Sequence, residues 1–177
     1  WRMSIADMEN VVKLADLNKA EPFVLSDAER AEIAEEMHHY PDTRAASIGA
    51  LKIVQKYRGW VPDAAIGSIA SMIGTDAADL EGVATFYSLI FRQPVGRHVI
   101  TVCDSISCHL TGYDELRDGL ESRLGIKMGQ TTPDQKFTLL PICCLGNCDR
   151  GPTLMIDEDL HSDVSVSGID KILGGYE

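Results

Sequence analysis

The chain has 177 residues, of which 45% are hydrophobic, and this is enough for one or two small domains with cores of their own. Its 27 Asp and Glu residues outnumber 16 Lys and Arg residues and give a net charge of −11, which argues against nucleic acid or an acidic membrane surface as a partner. No run approaches the roughly 20 apolar residues of a membrane-spanning helix, so direct membrane insertion is not expected.

Residues 1–24 are predicted to be a tail, and the sequence assigns them no function. Ile5, Met8, Val12 and Ala15 follow helical spacing, but the stretch ends in a Glu-Pro break. It has no apolar run and carries acidic residues early, so neither a signal peptide nor a transit peptide is visible. We therefore expect a cytosolic, reducing compartment, where clustered cysteines bind metal or do redox work more often than they form structural disulfides.

Residues 25–92 are predicted to form a helical bundle. The first helix has a clear start, because "SDAE" is a capping box in which Ser26 is the N-cap and the side chain of Glu29 reaches back to it. This helix is expected to run to about His39. Four consecutive helices joined by short links are typical of a small helical bundle.

Three further helices are predicted in this bundle. The second runs from about Thr43 to Arg58, with Gly59 as its natural stop. The third lies within residues 60–74, where apolar side chains recur at i, i+3, i+4 and i+7. The fourth is expected over residues 75–91.

An apolar aromatic stretch, "FYSLIF", closes the predicted fourth helix. It contains Phe86, Tyr87, Ile90 and Phe91. We interpret these side chains as part of the bundle core. The alternative is that they contribute to an interface with a partner protein.

Residues 93–177 show a different pattern, which begins in the turn-rich stretch "RQPVG". "HVITVCD" is a short β-branched strand, and "YDELRDGLESRLG" is a helix with leucines four residues apart. "FTLLPIC" and "TLMID" are predicted strands, and "SVSGIDKIL" is a final helix. This order predicts a compact α/β domain with helices on a sheet, so the fold class of the whole chain is α+β.

Four of the five cysteines form two pairs at the ends of predicted strands. Cys103 and Cys108 make a C-x4-C pair, and Cys144 and Cys148 make a C-x3-C pair. Cysteines at the ends of adjacent strands can converge although they are far apart in sequence. Four thiolates in loops match a [2Fe–2S] cluster, because each of its two irons takes two protein ligands.

Two other kinds of site compete with this interpretation. A structural zinc site also takes four cysteines, but it favours C-x2-C pairs, and neither pair has that spacing. A thiol–disulfide enzyme would need C-x-x-C, which is absent. Spacing therefore favours an iron–sulfur site and leaves a non-redox zinc scaffold as the alternative from a different functional class.

The fifth cysteine, Cys143, makes the second pair ambiguous. Cys143 to Cys148 is also C-x4-C, so spacing does not choose between Cys143 and Cys144. Successive side chains of an extended strand point to opposite faces, so we expect one of the two neighbours to face away from the site.

Several longer stretches resemble a known family. "HVITVCDSISCHLTGYDEL", "FTLLPICCLGNCDRGPTLMID", "RAASIGALKIVQKYRGWVPDAAI" and "EGVATFYSLIFRQPVGRHVI" are similar to the E-subunit family of respiratory NADH:quinone oxidoreductase, bacterial complex I. The resemblance covers about residues 25–177. It implies a helical bundle joined to a thioredoxin-like ferredoxin domain that carries one [2Fe–2S] cluster.

The resemblance also implies the ligand set. The family pattern C-L-G-x-C starts at Cys144, so the expected metal ligands are Cys103, Cys108, Cys144 and Cys148. Cys143 is then the residue left over, and we expect a reduced thiol packed as a small apolar side chain. No catalytic residue is expected on this chain.

The function that the resemblance implies is that of an electron-carrier subunit. Its cluster would lie close to the FMN of a partner flavoprotein that binds NADH, beside other subunits of the peripheral arm. Such a chain would be cytoplasmic and peripheral to the inner membrane through the complex. The alternative is the equivalent diaphorase subunit of a soluble NAD-linked hydrogenase or formate dehydrogenase.

The residues agree with placing NADH chemistry on a partner. The sequence has no G-x-G-x-x-G between a strand and a helix, and it has no P-loop. The chain thus lacks the common sequence motifs that bind a dinucleotide. We expect the isolated chain to lack NADH oxidation activity.

Overall fold

The computed structural model describes residues 23–176 and confirms the α+β class, with helices in the first part of the chain and a sheet in the second. The predicted helical spacing of Ile5 to Ala15 lies outside the described residues. The chain divides into two compact units between Gln93 and Pro94, and each unit has a hydrophobic core of its own. No helix among the described residues combines the length and the apolar character needed to cross a bilayer.

The first unit contains four α-helices in its described part. Leu51, Ile69 and Leu80 come from three different helices, and their side chains are fully buried in one core. Short links join consecutive helices, so their apolar faces meet without long connections. The helices are α1 (Asp27–His38), α2 (Ser47–Arg58), α3 (Asp63–Ile73) and α4 (Ala77–Phe86).

The predicted capping box at the start of α1 is present, and its buried Glu29 carboxylate forms an ion pair with Arg58. The Glu29 N–H donates to Ser26 Oγ at 3.2 Å, and the Ser26 N–H donates to Glu29 Oε2 at 2.7 Å. Arg58 binds the same carboxylate with Nε at 2.6 Å and Nη2 at 2.7 Å. Its guanidinium also stacks 4.1 Å above the Phe23 ring. Glu29 therefore fastens α1 to the end of α2.

Replacing Glu29 by Gln should lower stability in a pH-dependent way. The Arg58 hydrogen bonds hold the pKa of Glu29 at about 2, against 4.5 for a free carboxyl. The side chain of Glu29 is only 1% exposed, so this shift corresponds to stabilisation on the order of 3 kcal/mol. The contribution is fully present above about pH 4.5 and is lost as the pH falls towards 2. Urea unfolding of Glu29→Gln at neutral and acid pH measures it.

The exposed pair between Glu32 and Lys56 provides a matched control for this test. It also joins α1 to α2, with Nζ 2.5 Å from Oε1, but Lys56 is exposed and Glu32 is partly exposed. Water screens such a pair, so Glu32→Gln should change stability much less than Glu29→Gln. A stability loss in Glu29→Gln that is the same at pH 7 and at pH 2.5 would contradict the role of its carboxylate.

The prediction that the fourth helix continues to residue 91 is wrong, because α4 ends at Phe86. The following backbone makes hydrogen bonds elsewhere in the unit. The side chain of Gln55 accepts from the Phe91 N–H at 2.6 Å and donates to the Leu89 carbonyl at 2.9 Å. The Phe91 carbonyl accepts from the Val61 N–H at 2.7 Å. These long-range partners replace the helical ones.

The interpretation of "FYSLIF" as bundle core is correct for only part of the stretch. Ile90 is buried and belongs to the core, and Phe91 is half-buried. Phe86, however, is 81% exposed, and Tyr87 is 42% exposed. Their rings contact each other edge to face, with centroids 5.2 Å apart. For these two residues the prediction is wrong: Phe86 is the last residue of α4 and Tyr87 is its C-cap, and both side chains are exposed.

The second unit is a four-stranded mixed sheet with helices, as the sequence predicts for this half. Its strand order is β2-β1-β3-β4, with β1 parallel to β2 and the other neighbours antiparallel. The sequence did not predict β4 or the short α5. The strands are β1 (His98–Cys103), β2 (Phe137–Ile142), β3 (Leu154–Ile156) and β4 (Asp159–His161), and the helices are α5 (Ile106–Thr111), α6 (Tyr113–Leu124) and α7 (Ile169–Leu173).

The strand register brings three chain segments to one edge of the sheet. In the parallel pair, the last residue of β1, Cys103, lies opposite the last residue of β2, Ile142. In the antiparallel pair, Val102 lies opposite Leu154, the first residue of β3. The loop after β1, the loop after β2 and the segment before β3 therefore meet where the cysteines lie.

Candidate metal centre

The first cysteine pair is part of the hydrophobic core. Cys103 ends β1 and Cys108 lies in α5, and both side chains are buried. The two thiols lie close enough to shift each other's pKa. Ser105, the residue before α5, has its hydroxyl oxygen 3.4 Å from Cys103 Sγ. The turn from strand to helix thus holds both sulfurs at one point of the sheet edge.

The second cysteine pair lies in the loop after β2 and is exposed. The sulfurs of Cys144 and Cys148 are 3.8 Å apart. Two thiolates bound at about 2.3 Å to one tetrahedral metal, as in zinc sites, are separated by about 3.8 Å. Gly146 donates its N–H to Cys144 Sγ at 3.3 Å and has a φ of 75°, which glycine adopts without strain. The loop is therefore already shaped to hold one metal ion between its cysteines.

Hydrogen bonds and close packing join the two pairs. The Leu145 N–H, from the second loop, is directed to Cys103 Sγ. The hydroxyl of Ser107, from α5, interacts with Cys148 Sγ. Gly151 passes so close to Cys108 that a Cβ at this glycine would lie 3.4 Å from the sulfur. The two cysteine pairs therefore lie next to each other.

The thiols influence one another's ionisation. Burial raises the pKa of the Cys108 thiol, and its hydrogen bond to Cys103 raises it further. Burial acts in the same direction on Cys103, but hydrogen bonds from Ser105 and Leu145 outweigh it and leave its pKa below that of a free thiol. The hydrogen bond to Cys144 raises the pKa of Cys148. Four crowded thiols favour a cation between them, because metal binding neutralises the thiolate charge.

The arrangement fits two metal ions better than one. Within residues 23–176, no three His, Cys, Asp or Glu side chains are grouped as a single ion would need. The cysteines form two adjacent pairs, and a [2Fe–2S] cluster takes two cysteine thiolates on each iron. A mononuclear zinc site would instead require all four sulfurs around one centre. The donor set and its pairing therefore fit a [2Fe–2S] cluster.

The structure separates Cys143 from Cys144. Cys144 lies in contact with Cys148, whereas no hydrogen bond of Cys143 joins it to the other thiols. Cys143 is exposed, so the prediction that it packs as a small apolar side chain is wrong. The reason is that β2 ends at Ile142, and strand alternation no longer applies one residue later.

Sequence reasoning missed the polar groups that surround the sulfurs. These include the hydroxyls of Ser105 and Ser107 and the backbone of Thr153, whose N–H is directed to Cys108 Sγ. The Thr153 carbonyl also accepts from the Cys103 N–H at 3.1 Å. The small polar residues of "DSIS" were the available signal for the serines. No local sequence signal identifies Thr153, because the antiparallel register of β3 brings this residue to the site.

A solved structure of an NAD+-reducing [NiFe]-hydrogenase in the air-oxidized state shares the fold. It superposes with a TM-score of 0.62 at 22% sequence identity. The match covers 73% of this chain and 22% of the hydrogenase chain. At this identity the likeness shows the fold alone.

Sequence comparisons show the family. The model of the thioredoxin-like [2Fe–2S] ferredoxin family matches residues 33–177. The E subunit of NADH-quinone oxidoreductase from Escherichia coli is 62% identical over 159 residues, which cover 90% of this chain and 96% of that protein. The protein of the same name from Pseudomonas aeruginosa is 59% identical over 162 residues, or 92% of this chain and 98% of that protein. The resemblance noted in the sequence is thus confirmed, and the chain belongs to the E-subunit family of NADH-quinone oxidoreductase, with its thioredoxin-like [2Fe–2S] ferredoxin domain.

Proposed function

We propose that the chain is an electron-carrier subunit of a respiratory NADH:quinone oxidoreductase and binds one [2Fe–2S] cluster through Cys103, Cys108, Cys144 and Cys148. The observation that carries this proposal is the pairing of these cysteines at one sheet edge, where Cys144 Sγ and Cys148 Sγ are separated by the span of one tetrahedral metal. Family membership supports the same cofactor.

Each part of the site has a distinct task in this proposal. Cys103 and Cys108 would ligate one iron, and Cys144 and Cys148 would ligate the other. A [2Fe–2S] cluster, when bound, supplies the chain with a store for one electron. The Gly146 N–H donates to Cys144 Sγ, and the Leu145 N–H lowers the pKa of Cys103, so both stabilise the negative charge that the thiolates bring to the site.

The reaction with NADH belongs to a partner in this proposal. The partner is a flavoprotein subunit that binds FMN and NADH, assembled with other subunits of the peripheral arm. The chain would then be cytoplasmic and held at the inner membrane through the complex. We favour this over a soluble NAD-linked hydrogenase or formate dehydrogenase, because the hydrogenase likeness extends to the fold alone whereas the E-subunit relatives are similar along most of their length.

Metal and sulfide analysis tests the proposal. Chain purified without oxygen should contain about two irons and about two acid-labile sulfides per molecule. It should lose colour on reduction, and a paramagnetic signal should appear only in the reduced state. Stoichiometric zinc without iron in such a preparation would contradict the proposal. The site would then be the non-redox zinc scaffold that is the alternative.

A further inference from the structure

We propose that Asn147 is a positioning residue for the cluster: its side-chain amide ties the loop that carries Cys144 and Cys148 to Thr153 and Ser162. Asn147 is not itself a ligand. The inference rests on the proposed function, since it concerns how firmly the proposed ligands are held.

The amide of Asn147 uses both of its N–H donors in this contact. Nδ2 donates to Ser162 Oγ at 2.8 Å and to Thr153 Oγ1 at 3.2 Å. An NH2 group has two protons to give, so its donor capacity is filled. Ser162 follows β4 and Thr153 precedes β3, so a surface loop is tied to two points of the folded sheet.

Thr153 connects this amide to the buried cysteine pair. Its side chain is almost fully buried, and its hydroxyl donates to the Arg150 carbonyl at 3.1 Å while accepting from Asn147. Its carbonyl accepts from the Cys103 N–H, and its own N–H is directed to Cys108 Sγ. One residue therefore contacts the backbone or sulfur of the first pair and the loop of the second pair.

The same hydrogen bonds close a ring in the loop of Cys148. The ring runs from the Asn147 amide to the Thr153 hydroxyl and on to the Arg150 carbonyl, and the Arg150 N–H donates back to the Asn147 carbonyl at 3.2 Å. Cys148 lies in the chain segment that these hydrogen bonds span, in the short 3-10 turn Cys148–Arg150. Its sulfur is consequently placed by hydrogen bonds, because the residue itself is exposed and has little packing to hold it.

Because Cys144 and Cys148 are exposed, the positioning of their loop affects how firmly the metal is retained. Cys103 and Cys108 are fixed by core packing, whereas Cys144 and Cys148 are exposed to solvent. The iron on the loop side is the one that a competing chelator reaches first. Groups that orient metal ligands commonly change metal affinity by about 10- to 100-fold when they are removed. We therefore expect Asn147 to set the rate at which iron leaves the loop side.

Iron release from the full-length loaded chain tests the inference. In an excess of chelator without oxygen, Asn147→Ala should lose its visible absorption about 10-fold faster than the parent chain. Ser162→Ala, which removes one of the two acceptors, should show a smaller increase. The double variant should release iron no faster than Asn147→Ala, because both changes break the same link.

Two further measurements separate positioning from a general loss of structure. The paramagnetic spectrum of the reduced Asn147→Ala chain should change shape, since the loop ligands are less firmly oriented, while the thermal midpoint of the metal-free chain stays close to that of the parent. Ser167→Ala is the matched hydroxyl control: Ser167 is exposed, and its hydroxyl contacts Ser165 Oγ at 3.0 Å. This variant should release iron at the parental rate.

The outcomes distinguish the inference from the function on which it rests. A parent chain that binds no [2Fe–2S] cluster overturns the proposed function and this inference with it. A loaded Asn147→Ala chain that releases iron at the parental rate overturns the inference alone. Should Asn147→Ala fail to fold, Ser162→Ala decides the matter, and equality with Ser167→Ala overturns the inference.

Discussion

Cys144→Ser is expected to abolish or severely destabilise the [2Fe–2S] cluster, whereas Cys143→Ser should retain it. The Cys144 sulfur is 3.8 Å from that of Cys148 and receives the Gly146 N–H, so its loss removes a ligand from the site. A serine hydroxyl is a much poorer ligand for iron than a thiolate, which binds in its ionised form. Iron content and the reduced-state paramagnetic signal measure the difference.

Cys143→Ser is the matched control, because it makes the same chemical change one residue away. Its side chain is exposed, so a hydroxyl there is solvated and should cost little stability. A Cys143→Ser chain without iron, beside a fully loaded Cys144→Ser chain, would show that the ligand register is shifted by one residue.

The isolated chain, free of flavin, should not oxidise NADH with an artificial acceptor at a measurable rate. In dinucleotide-binding folds, a glycine-rich turn after the first strand receives the pyrophosphate at a helix N-terminus. Here the turn after β1 runs from Cys103 through Ser105 into a helix of only six residues, and this turn carries two of the proposed sulfur ligands instead. The absorbance of NADH in the near ultraviolet follows the reaction.

Two additions to the assay show whether an absence of NADH oxidation is meaningful. Chemical reduction of the same preparation should bleach its colour, which shows that the site accepts an electron. Addition of the FMN-containing partner flavoprotein should bring NADH-dependent reduction. Turnover by the pure chain without flavin would place the active site on this chain and contradict the division of labour that we propose.

Local signals in the sequence predicted local structure well. Ser26 and Glu29 are three residues apart, and the capping box that they specify forms as predicted because all of its partners lie within one turn. Gly59 likewise ends α2 with a φ of 80°. The four helices and three of the strands follow from periodicity of the same short range.

The errors arise where distant residues decide the outcome. The fourth helix ends early because Gln55 and Val61 bind the backbone near Phe91, and no local pattern reports these partners. The strand β4 has three residues and exists through its pairing with β3. So short a strand cannot show the alternation of apolar and polar side chains by which strands are predicted.

The candidate site likewise combines features that local sequence patterns predict with features that depend on distant residues. The residue types and spacing of the cysteines indicate a metal site, and the family pattern rather than spacing selects Cys144 over Cys143. The exposure of Cys143 depends on where β2 stops, and the role of Thr153 depends on the β3 register. The contact of Asn147 with Ser162 joins residues on either side of two strands, which no motif predicts.

The unequal burial of the two cysteine pairs bears on how the cofactor is installed during biogenesis. Cys103 and Cys108 lie in the same apolar core as Leu139 and Leu154, so they take their positions as soon as the sheet and α5 pack. Cys144 and Cys148 remain on the surface at that stage. The metal-free fold therefore presents one cysteine pair at the protein surface, and a cluster could be inserted from that side without opening the core.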